Sequence, residues 1–304
     1  MTATAAHSET LIARISTDRA AAHRIADALA DSLDPETSAI SLFESGPSWV
    51  VEVAYHDAAA RSLITSVVTD TAGAAGDITF STIGTRDWVA ASLEGLKPVR
   101  AGRIVVHGAH DRDTVRINDV AIEIEAALAF GTGHHGTTSG CLLALDAELK
   151  KRRPRRGLDV GTGTGILALA LAKQIKRKVV AGDIDAVAVE VSAHNARLNH
   201  APHALDLYVA PGLRHAKADR PGHFDLIFAN ILAGPLRRLA PALARALSPD
   251  GTLILSGLLA MDVPGVIAAY RHQGVALASR SLREGWATLV MKKGGAAQRP
   301  RRPA

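Results

Sequence analysis

Hydrophobic and polar positions change their period several times along this chain. Leu11 to Ser16 alternates and predicts a short strand, whereas Thr17 to Leu33 is Ala-rich, with Ile25, Leu29 and Leu33 at helical spacing. Ser38 to Glu44 and Trp49 to Tyr55 read as two strands joined across Ser45-Gly46-Pro47-Ser48, a turn composition. Asp57 is placed to cap a helix running to about Thr69, and Asp77 to Ile83 is again extended. The order β-α-β-β-α-β predicts a small ferredoxin-like domain over residues 1–84.

Residues 85–100 read as a linker, with a short helix from Trp88 to Leu96 that Lys97-Pro98 ends. Arg103 to His107 and Val120 to Glu125 alternate as strands, and Ser139 to Lys151 is helical in pattern. From Arg156 the pattern becomes strand, helix, strand, helix. Strands are expected at 156–160, 178–183, 204–210, 224–229 and 251–256, with helices at 164–176, 186–199, 232–246 and 260–271. Such alternation predicts a mostly parallel sheet covered on both faces, making residues 101–293 an α/β domain. Two extended stretches, 274–281 and 285–292, are expected as an antiparallel hairpin on one edge. The basic tail 294–304 is poor in apolar residues and is expected to be disordered.

Composition adds constraints. Apolar residues make up 47% of the 304, enough for sizeable cores. Cys141 is the single cysteine, so no intrachain disulfide is possible and a reducing compartment is expected. Residues 1–9 lack the basic and apolar regions of a secretory signal, and no apolar run reaches membrane-spanning length, so a cytoplasmic protein without membrane contact is expected. Residues 1–90 carry five Lys and Arg against twelve Asp and Glu, and the remainder thirty against eighteen. An acid-rich first domain repels nucleic acid and attracts a basic protein.

The candidate chemistry centres on Gly157-Leu-Asp-Val-Gly161-Thr-Gly163-Thr-Gly165, a strand running into a glycine turn and then a helix. Glycines let the backbone approach a ligand, and the helix N-terminus offers free N–H groups. Dinucleotide sites share this geometry. Three details point to S-adenosylmethionine instead. Ile166 stands where the dinucleotide fingerprint has its last glycine. Asp159 precedes the loop, where a carboxylate pairs with the ligand's ammonium or holds the loop's own amides. Asp183 ends the next strand, where it can accept both ribose hydroxyls. The fourth strand ends at Asn230, whose carbonyl can accept hydrogen bonds from an incoming amine, although a plain turn asparagine has the same appearance. Ala129 to Thr138 is rich in Gly, His and Thr just ahead of a helix that Thr137 or Thr138 would cap. A loop closing over the cofactor is expected there. A metal is not, because His134 and His135 are adjacent and no acid or cysteine cluster completes a site.

Ala129-Phe-Gly-Thr-Gly-His-His-Gly-Thr-Thr138, Leu158-Asp-Val-Gly-Thr-Gly-Thr-Gly-Ile-Leu167, Gly182-Asp-Ile-Asp185 and Ala229-Asn-Ile-Leu-Ala-Gly-Pro-Leu236 together resemble the PrmA-type ribosomal protein methyltransferases. The resemblance implies a seven-stranded, Rossmann-like class I methyltransferase domain preceded by the small α+β ferredoxin-like domain, which recognises the substrate. It implies methyl transfer from S-adenosylmethionine to lysine ε-amines and the N-terminal α-amine of the eleventh large-subunit ribosomal protein, a basic partner. Carried over by motif, the cofactor contacts are Thr138, Gly161, Asp183 and Asn230, with Asp159, Gly163, Gly165 and Phe130 as neighbours and Asn230 as the catalytic residue. The chain departs from the family at Thr162-Gly-Thr164 (often Cys-Gly-Ser), at His134, at Gly136 and at Ser92. The alternative is an RNA or DNA amino-methyltransferase using the same cofactor site. Such enzymes usually place a base-stacking aromatic after the asparagine, where this chain has Ile231 and Leu232, so no direct nucleic-acid role is expected.

Overall fold

The computed structural model describes residues 10–33, 38–45, 48–55, 59–72, 77–83, 98–124 and 135–294. They fall into two compact units. The first holds β1 (Thr10–Thr17), α1 (Arg19–Ser32), β2 (Ser38–Ser45), β3 (Ser48–Tyr55), α2 (Ala60–Ala72) and β4 (Asp77–Ile83). Its antiparallel sheet has the order β2-β3-β1-β4, the ferredoxin-like arrangement expected. Asp18 starts α1 by accepting the Ala21 N–H at 2.9 Å. Ala13, Ile15, Val51 and Val53 share one face of the sheet and are buried, as are Ile25, Leu29, Ile64 and Val68 of the two helices. Asp57 and the Trp88 to Leu96 helix lie outside the described residues, as do residues 1–9 and most of the tail.

The second unit opens with a small sheet of β5 (Val99–Ala101), β6 (Ile104–His107) and β7 (Val120–Glu123). Val99 and Arg100, in the stretch read as linker, belong to β5. Next come α3 (His135–Leu149), β8 (Gly157–Val160), α4 (Ile166–Ile175), β9 (Val179–Asp183), α5 (Ala186–Leu198), β10 (Leu205–Val209), β11 (Phe224–Asn230), α6 (Ala233–Ala246), β12 (Leu247–Leu259), α7 (Val263–Arg271), β13 (Val275–Arg283) and β14 (Trp286–Lys293). Strands β8 to β14 form one seven-stranded sheet of order β10-β9-β8-β11-β12-β14-β13. The first five are parallel, and the β13–β14 hairpin closes one edge antiparallel, as expected. Alternate residues explain the two layers. Leu158, Val160, Ile227, Ala229, Leu253 and Leu255 enter the core beneath α6 and α7, while α3 and α4 cover the opposite face.

One helix start is corrected. The threonines expected to cap α3 lie inside it, because the helix already runs from His135. Glycine makes that possible. A Cβ at Gly136 would meet the Arg283 carbonyl oxygen at 2.8 Å, and one at Gly140 would meet Thr288 Oγ1 at 2.1 Å. The two glycines, one turn apart, let α3 lie directly on β14 and the adjoining turn.

Candidate functional site

Strand register assembles the site. Val160 of β8 pairs with Gly182 of β9 and with Ala229 of β11. The next row along the carboxyl edge is therefore Gly161, Asp183 and Asn230, with Ser256 of β12 opposite Asn230. Residues distant in sequence share one ledge beyond the strand ends, the position where open α/β sheets bind ligands.

The glycine loop is held by hydrogen bonds from all sides. Gly161 and Thr162 donate their N–H groups to the Gly182 carbonyl at 2.9 and 3.0 Å. Asp159 Oδ2 accepts the Thr162 hydroxyl at 2.8 Å and the Ala168 N–H, in the first turn of α4, at 3.2 Å. Of the two roles considered for Asp159, the structure therefore displays loop support. Its other oxygen, Oδ1, is buried without a partner. Burial raises the Asp159 carboxyl to about 7, against the lowering effect of the Thr162 and Ala168 hydrogen bonds. Asp183 Oδ2 accepts the Gly163 N–H at 2.9 Å and Oδ1 the Asp185 N–H at 3.2 Å. Burial raises the Asp183 carboxyl too, with those N–H groups opposing it.

Gly161, Gly163 and Gly165 all have positive φ, at 71°, 53° and 81°. Gly161 also needs the absence of a side chain, since a Cβ there would lie 2.4 Å from Ile231 Cγ2. Ile231, directly after Asn230, is wedged between Gly161 and Gly257, where a Cβ would meet the Ile231 carbonyl oxygen at 2.4 Å. That wedge fixes the end of β11.

Thr138 is half-buried on α3, and its neighbour Thr137 is the threonine whose hydroxyl meets Asn230, with Nδ2 donating to Oγ1 at 3.4 Å. Phe130 lies outside the described residues, as does the expected closing loop up to His134. Sequence reasoning missed the supports from α5. Ser192 Oγ donates to the Gly163 carbonyl at 2.7 Å and Asn195 Nδ2 to the Thr164 carbonyl at 2.9 Å. The available signal was two polar residues within the stripe of α5 that Ala188, Val191 and Ala196 otherwise bury.

These features fit S-adenosylmethionine. The loop has no Cβ at its closest approach, a helix N-terminus stands behind it, an orphaned buried carboxylate oxygen lies beneath it and a second acid ends the next strand. A cleft lined by Val263, Ile267, Arg271 and Arg280 lies between α7 and β13 and includes none of these residues.

Comparison with known proteins places the chain in a family. Residues 3–294 match the model of the family described as ribosomal protein L11 methyltransferase (PrmA). A protein of that name from Bradyrhizobium diazoefficiens is 50% identical over 280 residues, 91% of this chain and 95% of the relative. One from Rhodopseudomonas palustris is 47% identical over 279 residues, again 91% and 95%. The crystal structure of a ribosomal protein L11 methylase from Lactobacillus delbrueckii subsp. bulgaricus superimposes with a TM-score of 0.57 at 28% identity, covering 65% of this chain and 97% of that one. The chain belongs to the ribosomal protein L11 methyltransferase (PrmA) family and is a protein methyltransferase.

Proposed function

We propose that the carboxyl-edge ledge of Gly161, Asp183 and Asn230 is where this methyltransferase brings a methyl donor and an amine of ribosomal protein L11 together. The shared register of those three residues carries this reading. The family implies a donor of the S-adenosylmethionine type, and the site's residues fit S-adenosylmethionine itself. When bound, it supplies an electrophilic methyl group on a positively charged sulfur. Asp183 accepts hydrogen bonds from its ribose hydroxyls. The glycine loop lies against its amino-acid end, with Asp159 beneath and Thr138 nearby.

The acceptor must arrive neutral, because a protonated amine has no lone pair. A free lysine of pKa ~10.4 is only about 0.04% neutral at pH 7. Desolvation at a partly buried ledge shifts that balance toward the neutral form. Asn230 then orients the amine. With Nδ2 turned toward Thr137, Oδ1 faces away from α3 and is available to accept an amine N–H. No general base is required of the chain if water carries the proton off, and alignment supplies the rate. The first unit, with its acid-rich sequence, recognises the basic substrate, and the enzyme works in the cytoplasm.

Nucleic-acid amino-methylation is not favoured. Beyond the missing aromatic, the Ile231 side chain packs against Gly161 and presents no flat face to a base. Incubation with labelled S-adenosylmethionine tests the choice directly, with label expected in the ribosomal protein and none in bare rRNA. In the same assay Asn230→Ala is expected to lower kcat by about 100-fold or more while cofactor affinity falls about tenfold at most. Label in RNA alone, or an unchanged kcat, would reject the assignment.

A further inference from the structure

The amino edge of the large sheet, opposite the ledge, collects cations that sequence order keeps apart. Two runs feed it, Lys150-Lys-Arg-Arg-Pro-Arg-Arg156 before β8 and Lys176-Arg-Lys178 before β9. Gly157 pairs with Val179, so Arg156 and Lys178 enter neighbouring strands about 4.8 Å apart. Gly157 also pairs with Leu226 of β11, and the Arg156 carbonyl accepts the Asp225 N–H at 3.0 Å. That contact brings the turn before β11, with Arg220, to the same edge. Arg220 and Arg156 stand close enough that, together with burial, they hold the His223 ring below its ordinary pKa.

Apart from Asp250 in β12, which is exposed, the acids nearest these cations are already engaged. Lys150 is paired with Asp146 and Arg152 with Glu148. Asp225 accepts the backbone N–H groups of Arg155 and Arg156, and Asp219 is paired with Arg245. The remaining Lys151, Arg153, Arg155 and Arg156 of the first run, all three cations of the second, and Arg220 are exposed and make no salt bridge among the described residues. Eight positive charges at one edge form a surface suited to a polyanion, and five of them are arginines, whose planar forks match phosphate oxygens.

We propose that this edge docks the phosphate backbone of RNA, at the end of the sheet away from methyl transfer. An anionic lipid surface fits less well, because none of the exposed large apolar side chains among the described residues (Leu63, Ile117, Val187, Val209, Met261 and Leu282) lies in these segments to anchor it. The surface acts apart from the catalytic ledge, so RNA held here is bound and not methylated. The expectation of no nucleic-acid role came from the acid-rich first domain and from the residues after Asn230, which follow β11 at the opposite, carboxyl edge.

The full chain tests this with a labelled single-stranded RNA followed by anisotropy between about 50 and 200 mM salt. Binding should weaken steeply with salt. Changing Arg153, Arg155, Lys176 and Lys178 together to glutamate should reduce affinity at least tenfold and flatten the log–log salt slope by roughly three, at about 0.7 per lost phosphate contact. Methylation of free ribosomal protein L11 should stay at the unaltered rate, which also shows that the variant is folded. A second variant, with Arg237, Arg271, Arg280 and Arg283 changed to glutamate, carries the same change in net charge and should keep at least half of the RNA affinity. Three results overturn the proposal: no RNA binding by the full chain, equal losses in the two variants, or tighter binding to phosphatidylglycerol vesicles than to RNA.

Discussion

Glu148 and Asp159 are both buried carboxylates, 2% and 1% exposed, on the α3–α4 side of the same sheet, yet their surroundings push them in opposite directions. Glu148 ends α3 at the amino edge. Its Oε1 accepts from Arg152 Nε at 2.5 Å, Thr252 Oγ1 at 2.6 Å and Lys292 Nζ at 2.8 Å. Burial alone would raise its pKa, but these three donors hold it at about 2. Asp159, at the carboxyl edge, has two neutral donors on one oxygen and none on the other, and is held at about 7. Two cations on one carboxylate mark a joint of the scaffold. A buried carboxylate oxygen with no donor marks a place kept for something the protein binds.

The largest expected effect is at the scaffold joint. Glu148→Ala leaves Arg152 and Lys292 without their carboxylate and is expected to destabilise the fold by about 3 kcal/mol in chemical denaturation. Cofactor affinity of the folded fraction should stay unchanged, and a selective loss of cofactor binding would break the contrast. In the unaltered protein the Glu148 contribution is present above pH 4.5 and is lost as pH falls toward 2.

Asp183→Ala is expected to reverse the pattern. Calorimetry should show cofactor affinity falling about 30- to 100-fold, worth roughly 2–3 kcal/mol, with a small change in Tm. An affinity within a factor of two of the original would remove Asp183 from the site.

Asp159→Asn has the smallest expected effect and a distinctive sign. The folded protein holds the Asp159 proton more tightly than the unfolded chain does. Its contribution to stability is therefore complete below pH 3.8 and declines as pH rises toward 7. Replacing it with a neutral amide should favour the variant progressively, by roughly 2 kcal/mol between pH 5 and about pH 6.5 in thermal melts. A gap in Tm that is flat with pH would place an ionised, fully compensated carboxylate there instead.

Much of the scaffold was legible because local patterns carry it. Alternation and helical spacing reported on which face each element buries, so the four-stranded and seven-stranded sheets and the β13–β14 hairpin followed from them. The glycine turn was legible because positive φ and close approach leave few residue choices at Gly161, Gly163 and Gly165. The start of α3 was not, since it depends on how closely Gly136 and Gly140 approach β14, a partner some 150 residues away in sequence. The choice between Thr137 and Thr138 beside Asn230 had the same origin, because a one-residue difference turns a helical side chain by about 100°.

By itself, then, the sequence determined the order of elements, the glycine loop and the acids that flank it, all of which are written in neighbouring residues. Only the tertiary structure decided that Gly161, Asp183 and Asn230 share a row, that Ser192 and Asn195 hold the loop from behind, and that Glu148 meets two cations while Asp159 Oδ1 meets no donor. Strand register and the partners of a buried charge are set by pairings between distant segments. Such pairings exist only once the chain has closed around its core.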